Sequence, residues 1–305
     1  MASSLQQWKA DKPYLNIHCA LGEGPHHDKK NNLLRFVDIK KKQVHIVDLA
    51  RGPASLRTLQ LDVPVGVTAD IEGVDPKDRI LVGLKYGIAV LDLQTGKYEY
   101  VGKPLNEQRN ERLRANDGAV DPHGRFWLGT MTDFGLGDFQ IEGALHRFDG
   151  TSGKEDVVKG LMIPNSVGWS PDNTTMYFTH STERKVYAWD YAPADGALSR
   201  KRVFYTHDGP GEPDGFRVDE AGNLWHAVYG EGRVLKISPE GTLVGEILLP
   251  TKAITCVQFV GTELFITTAS LGEEEEATQE QRENGGALFR VDVGVKGLDF
   301  FEFKL

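Results

Sequence analysis

Asp121-Pro122-His123-Gly124-Arg125-Phe126-Trp127-Leu128-Gly129-Thr130-Met131 begins as a turn and ends as a strand. Its first four residues favour chain reversal, with proline presetting one backbone angle and glycine accepting another. The apolar, β-prone run behind them suits a buried sheet. The pattern recurs: Asp28-Lys29-Lys30 before Leu33-Leu34-Arg35-Phe36, Asp75-Pro76-Lys77 before Ile80-Leu81-Val82, and Ser170-Pro171-Asp172 before Met176-Tyr177-Phe178. Asp219-Glu220-Ala221-Gly222 before Leu224-Trp225 and Val260-Gly261-Thr262 before Leu264-Phe265-Ile266 complete the set, and successive starts lie 41 to 49 residues apart.

Each of these strands is followed by another, such as Gln43 to Leu49 or Arg233 to Ile237, and usually by one more, such as Lys97 to Val101 or Leu243 to Leu248. Six units of about four antiparallel strands predict an all-β, six-bladed β-propeller, because the helical period of a solenoid is absent. Tyr14 to Ala20 alternates before the first unit, so the amino-terminal strand is expected to close the last blade and cover its edge. That last unit is read as ending with Leu298 to Phe303. The expectation is a single domain over residues 1–305, with residues 1–13 a polar amino-terminal extension. Two segments break the pattern: Lys103 to Arg112, and Leu271 to Asn284, whose glutamates suit a solvated loop or short surface helix.

With 35 basic and 44 acidic residues, the net charge of −9 opposes a phosphate backbone, and no basic stripe offsets it. No nucleic-acid partner is expected. No run approaches a membrane span, and Met1 to Tyr14 is polar, so a soluble, cytoplasmic protein is expected, with no membrane association and no obligate protein partner evident. Cys19 and Cys256 lie in strand-like runs and read as small buried hydrophobes, although a disulfide stays open.

The innermost strand of each unit precedes its turn and starts near the channel mouth. Counting back five residues from each turn gives Glu23, Asp70, Asn116, Asn165, Asp214 and Thr255. Most can coordinate through oxygen, and carboxylates converging on an axis repel one another unless a cation neutralises them. Asp70 stays outside the metal set, because a lengthened loop would move the equivalent position to Val65 or Gly66. No compact zinc pattern, nucleophile elbow or phosphate-cradling loop is present. The histidines are read as non-ligands, with His180 and His207 placed to reach a substrate from loops. Phe134, Trp169, Trp225 and Tyr229 are read as packing between blades.

The ordered set Glu23-Gly24-Pro25, Arg114 to Met131, Pro164-Asn165, Pro213-Asp214-Gly215 and the closing Gly285-Gly286-Ala287 resembles the SMP-30/gluconolactonase/regucalcin (LRE-like) family over nearly the whole chain. The resemblance implies a six-bladed propeller holding one divalent ion at its channel mouth and opening small sugar lactones. It carries metal ligation onto Glu23, Asn165 and Asp214. Asn116 falls near the metal or substrate, Arg114 on substrate oxygens, and Asp117 in shaping the site or binding its water or substrate. One departure concerns substrate choice: where relatives have acidic residues after Gly-Thr-Met, this chain has Asp133, Phe134 and the run Gly135 to Gly137.

Oxygen donors suit Ca²⁺, Mg²⁺ or Mn²⁺, while Zn²⁺ usually recruits nitrogen or sulfur, although the family implied by the resemblance accepts several of these ions. Such an ion polarises a lactone carbonyl. Asp214 is the candidate catalytic general base, with its basicity lowered by the cation beside it. Three alternatives stand: a calcium- or metabolite-binding regulatory propeller without turnover, an interaction scaffold, which should lack mouth carboxylates, and a propeller enzyme recruited to another metal-assisted reaction.

Overall fold

The computed structural model describes residues 5–102, 111–150, 153–273 and 275–305. Most of the first pattern break, 103–110, therefore lies outside the described residues. Six small sheets, each led by an inner strand, form a six-bladed β-propeller. The inner strands are Gly22–Asp28, Val65–Ala69, Leu113–Val120, Pro164–Trp169, Glu212–Val218 and Ile254–Val260, in blades 1 to 6. Successive strands step outward with antiparallel pairing, as in Leu33–Asp38, Gln43–Asp48 and Arg57–Gln60 of blade 1.

The repeated turns explain this layout locally. Asp121, fully buried, accepts bonds from the main-chain nitrogens of His123 (2.9 Å) and Arg125 (3.0 Å) and from Trp127 Nε1 (3.0 Å), while Arg125 Nε (2.8 Å) balances its charge. Asp219 does the same in blade 5, taking Asn223 N and Trp225 Nε1, each at 2.9 Å. One carboxylate thus fixes the turn and anchors the first core side chain behind it. Apolar residues of adjacent sheets then interdigitate, for example Val44 and Ile80 between blades 1 and 2, and Trp127 and Met176 between blades 3 and 4.

Pro13–Asn16 pairs with Ala287–Asp292, so the amino-terminal strand does close blade 6. The preceding residues are more than a polar extension. Gln6–Lys9 adds a fifth, parallel strand to blade 5, and Trp8 packs 5.1 Å from Trp225. Leu298 to Phe303 does not end the last blade. Gly294 turns the chain out with φ +73°, and the tail crosses the lower end of the channel, where the inner strands finish. It bonds to blades 5, 2 and 3 through Leu298 N to Val218 O (2.9 Å), Phe303 N to Asp70 O (2.8 Å) and Lys304 N to Gly124 O (2.9 Å). Phe300 stacks on His26 with ring centres 4.1 Å apart.

Within the second pattern break, Gln279–Asn284 is a short helix capped by Thr278. Cys19 and Cys256 are buried and unpaired. No helix among the described residues is long and apolar enough to cross a membrane.

Buried histidines between blades make stability depend on pH. Burial pulls His226 down to about 4, and its Nε2 lies 2.8 Å from Thr179 Oγ1 in the neighbouring blade. With an unfolded value near ~6.5 the unfolded chain binds more protons between these limits, so the contribution is present above pH ~6.5 and lost as pH falls toward 4. A loss of about 2 kcal/mol is expected from this residue between pH 7 and pH 5. Urea midpoints at the two pH values, compared with His226→Gln, check it: the variant should show a smaller fall.

Candidate functional site

Every inner strand breaks register against its neighbour near its start. The shifts lie between Glu23 and His26, Val65 and Val67, Ala115 and Gly118, Pro164 and Val167, Pro213 and Phe216, and Ile254 and Cys256. A bulge leaves an unpaired residue and re-aims its side chain. Glu23, Asn116, Asn165, Asp214 and Thr255 all fall at these breaks, and blade 2 contributes Gly66. A side chain at Gly66 would meet Asn116 O at 2.1 Å, which explains why blade 2 presents none. Asp70 lies at the other end of its strand, bonded to Arg35 Nη2 (2.5 Å) and His26 Nε2 (3.2 Å). Against the burial that would raise it, the contacts with His26 and Arg35 hold its carboxyl well below the usual range.

The bulges of blades 1, 3, 4 and 5 surround a cavity of about 210 Å³ whose wall includes Glu23, Arg114, Asn116, Asn165 and Asp214. Asn165 Nδ2 donates to Asp214 Oδ1 in a very close contact and to Ser181 Oγ at 3.2 Å. The main chain braces these side chains: Gly24 N donates to Glu23 Oε2 (3.0 Å) and Ser166 N to Asn165 Oδ1 (3.0 Å). Burial, then the charge of Asp117, pushes the Glu23 carboxyl up to about 8. Burial, then Glu23 and Asp117, lifts Asp214 well above the ordinary range. Two desolvated carboxylates therefore face each other short of positive charge.

Arg114 forms no ion pair with either of them, although it feels the charge of both. Its Nη1 donates to Ala115 O and Asn116 Oδ1, both at 2.9 Å, and its Nη2 reaches Met131 Sδ at 3.2 Å. Its Nε has no partner, although the residue is 2% exposed. Burial pulls this guanidinium down to about 10, against Asp133, Glu23 and Asp214. Phe134 covers it, with ring centre 4.2 Å from the guanidinium carbon. Asn116 Nδ2 crosses to Pro164 O (2.9 Å), tying blade 3 to blade 4.

Asp117 does not line the cavity. It lies behind the wall, accepting from Gly118 N (2.7 Å) and Ser166 Oγ (2.6 Å), while Ser166 Oγ accepts from Phe216 N (2.9 Å). Phe134 packs against the core between blades 1 and 2 and also lines the cavity, Tyr229 lines the cavity, and Trp169 and Trp225 belong to the cores between blades. His180 and His207 are absent from this wall and pair with Glu183 (3.0 Å) and Glu231 (2.8 Å). Lys40, Phe139, Ser181 and Glu212 also line it and were not legible as site residues. Their common signal is position: each lies at the end of the barrel where inner strands begin.

Among the described residues no group of three or more His, Cys, Asp or Glu side chains is placed to hold a metal. The donor set here is two carboxylates and a neutral amide. Oxygen-only donors, buried and with excess negative charge, fit a hard divalent cation.

Residues 21–270 match the family model described as SMP-30/Gluconolactonase/LRE-like region. The chain is 34% identical to a pentonolactonase, XacC, of Haloferax volcanii, over 93% of this chain and 94% of that protein. It is 31% identical to regucalcin of Gallus gallus, covering 93% and 94% respectively. A solved luciferin-regenerating enzyme superposes with a TM-score of 0.85 at 31% identity, covering 94% of this chain and 96% of the other.

Proposed function

The chain belongs to the SMP-30/Gluconolactonase/LRE-like family, and from that premise we propose that it hydrolyses a sugar lactone at the channel mouth with the help of one divalent ion. The observation that carries this is the convergence of Glu23, Asn165 and Asp214, two of them desolvated carboxyl groups, in one cavity with Arg114 and Asn116. Glu23, Asn165 and Asp214 would hold the ion, which when bound draws electron density from the lactone carbonyl.

Asp214 would take a proton from the attacking water, within reach of the site although the ion beside it lowers its basicity. As water oxygen bonds to the carbonyl carbon, the ring C–O bond breaks and the proton passes to the departing ring oxygen, giving the hydroxy acid. Arg114 and Asn116 orient substrate oxygens. The unpartnered Nε of Arg114 supplies one donor, and Asn116 is held in place from both sides. Phe134 and Tyr229 wall the cavity and limit water.

The test is a panel of aldonolactones followed by acid release at constant pH, first after chelation and then with Ca²⁺, Mg²⁺, Mn²⁺ or Zn²⁺ restored singly. Hydrolysis only with an ion supports the proposal; full hydrolysis in chelator removes the ion from it. Arg114→Ala should raise KM about tenfold or more while changing kcat less, since a charged hydrogen bond is worth about 1.5–3 kcal/mol. Steady-state kinetics on the preferred lactone decide that.

A further inference from the structure

Lys40, on the loop between the second and third strands of blade 1, brings a second cation to the cavity wall beside Arg114. It belongs to a run of three lysines with divided duties. Lys41 Nζ donates to His18 O (2.7 Å) and lies 3.9 Å from Asp38, and Lys42 Nζ donates to Asp62 O (2.9 Å). The contact of Lys40 Nζ is the Phe134 ring, at 5.4 Å, the same ring that meets Arg114. Neither Lys40 nor Arg114 has a carboxylate in ion-pair distance among the described residues.

The acid that bears most on Arg114 is already committed, since Asp133 accepts from Lys85 Nζ at 2.7 Å. Glu212 also lines the cavity, but it lies beside Tyr229 and Asp214 in the blade 5 register and takes its electrostatic relief from Arg184. The cavity is therefore polarised. Its lining holds the acids Glu23, Asp214 and Glu212, while Lys40 and Arg114 share the Phe134 ring.

We infer that Lys40 is a specificity residue that selects lactones carrying an anionic group away from the reacting ring. This rests on the proposed lactone chemistry. With the carbonyl at Glu23, Asn165 and Asp214, a negatively charged substituent turned toward Phe134 meets Lys40, whereas one turned toward Tyr229 would meet Glu212. A charged hydrogen bond at a partly solvated rim should give about tenfold in selectivity.

The experiment compares kcat/KM for an uncharged aldonolactone with lactones ending in carboxylate, sulfonate or phosphate, using the ion-loaded wild type, Lys40→Gln and Lys40→Arg. The wild type should prefer at least one anionic lactone, and the three endings show which acid is read. In Lys40→Gln the ratio of anionic to neutral kcat/KM should fall about tenfold, mainly through KM, and Lys40→Arg should restore much of it. An unchanged ratio in Lys40→Gln, or no anionic preference in the wild type, overturns the inference.

Should no lactone be opened, calorimetry with the corresponding open-chain acids separates the two ideas. Tighter binding of the doubly acidic compound, lost in Lys40→Gln, upholds the Lys40 assignment and removes only the hydrolysis. Equal binding of both acids, or none, overturns the assignment as well.

Discussion

Asp214→Asn and Glu23→Gln should each lower lactone hydrolysis by ~10³-fold or more while leaving a folded propeller. The loss follows from the proposed division of labour, in which Asp214 contributes to ion binding and proton transfer and Glu23 supplies the second carboxylate. Retention of the fold follows from their surroundings. Each side chain is held by main-chain or amide donors on a bulge, outside the cores between blades. The stability readout runs opposite to the usual loss from mutation. In chelator, a Glu23 carboxyl pushed up to about 8 weakens the fold as pH rises. Its contribution is fully present below an unfolded value near ~4.5 and lost as pH climbs through 8. Glu23→Gln should therefore match the parent near pH 4.5 and unfold at a higher temperature at pH 8. Restoring the ion should narrow or reverse that difference, because only the parent keeps the full donor set. Wild-type turnover by purified Asp214→Asn, or a Glu23→Gln protein less stable than the parent at pH 8 in chelator, would contradict the assignment.

The blade count was legible because it rests on short-range chemistry repeated along the chain. Asp121 and Asp219 start turns for local reasons and secure the next tryptophan, so residues a few positions apart reveal both turn and strand. The positions of Glu23, Asn116, Asn165 and Asp214 were legible by the same register. The bulges that aim them were not, since an extra residue in one strand shows only against its partner's hydrogen bonds. Gly66 illustrates the limit: its need for a bare backbone comes from Asn116 O in another blade. Phe134 and Lys40 escaped as cavity residues because a loop residue's direction depends on loops from other blades, and Tyr229 escaped because it sits at the very end of its strand Leu224–Tyr229. The tail escaped for a different reason. Leu298 to Phe303 looks like a strand, and only the turn at Gly294 sends it away from the last blade.

That tail underlies the second large effect, a fall of about 3–5 kcal/mol in unfolding free energy for Phe303→Ala. Phe303 is fully buried among Ile71, Phe126 and neighbouring side chains, with its ring centre 6.4 Å from that of Phe126. Its main chain is also engaged, donating to Asp70 O at 2.8 Å and accepting from Glu72 N at 2.9 Å. Truncating the ring leaves a cavity between blades 2 and 3 that a rigid ring of sheets cannot readily collapse. The damage should extend beyond one interface, because the same strap reaches blade 5 through Leu298 and stacks Phe300 on His26 of blade 1. It is a second fastening of the ring, independent of the strand Pro13–Asn16 that completes blade 6. Urea unfolding should show the loss, whereas Leu305→Ala, at a position 57% exposed, should stay within about 0.5 kcal/mol of the parent. Phe303→Leu should recover most of the stability by refilling the space. A Phe303→Ala protein as stable as the parent would mean that the tail only lies against the lower face and does not hold the ring closed.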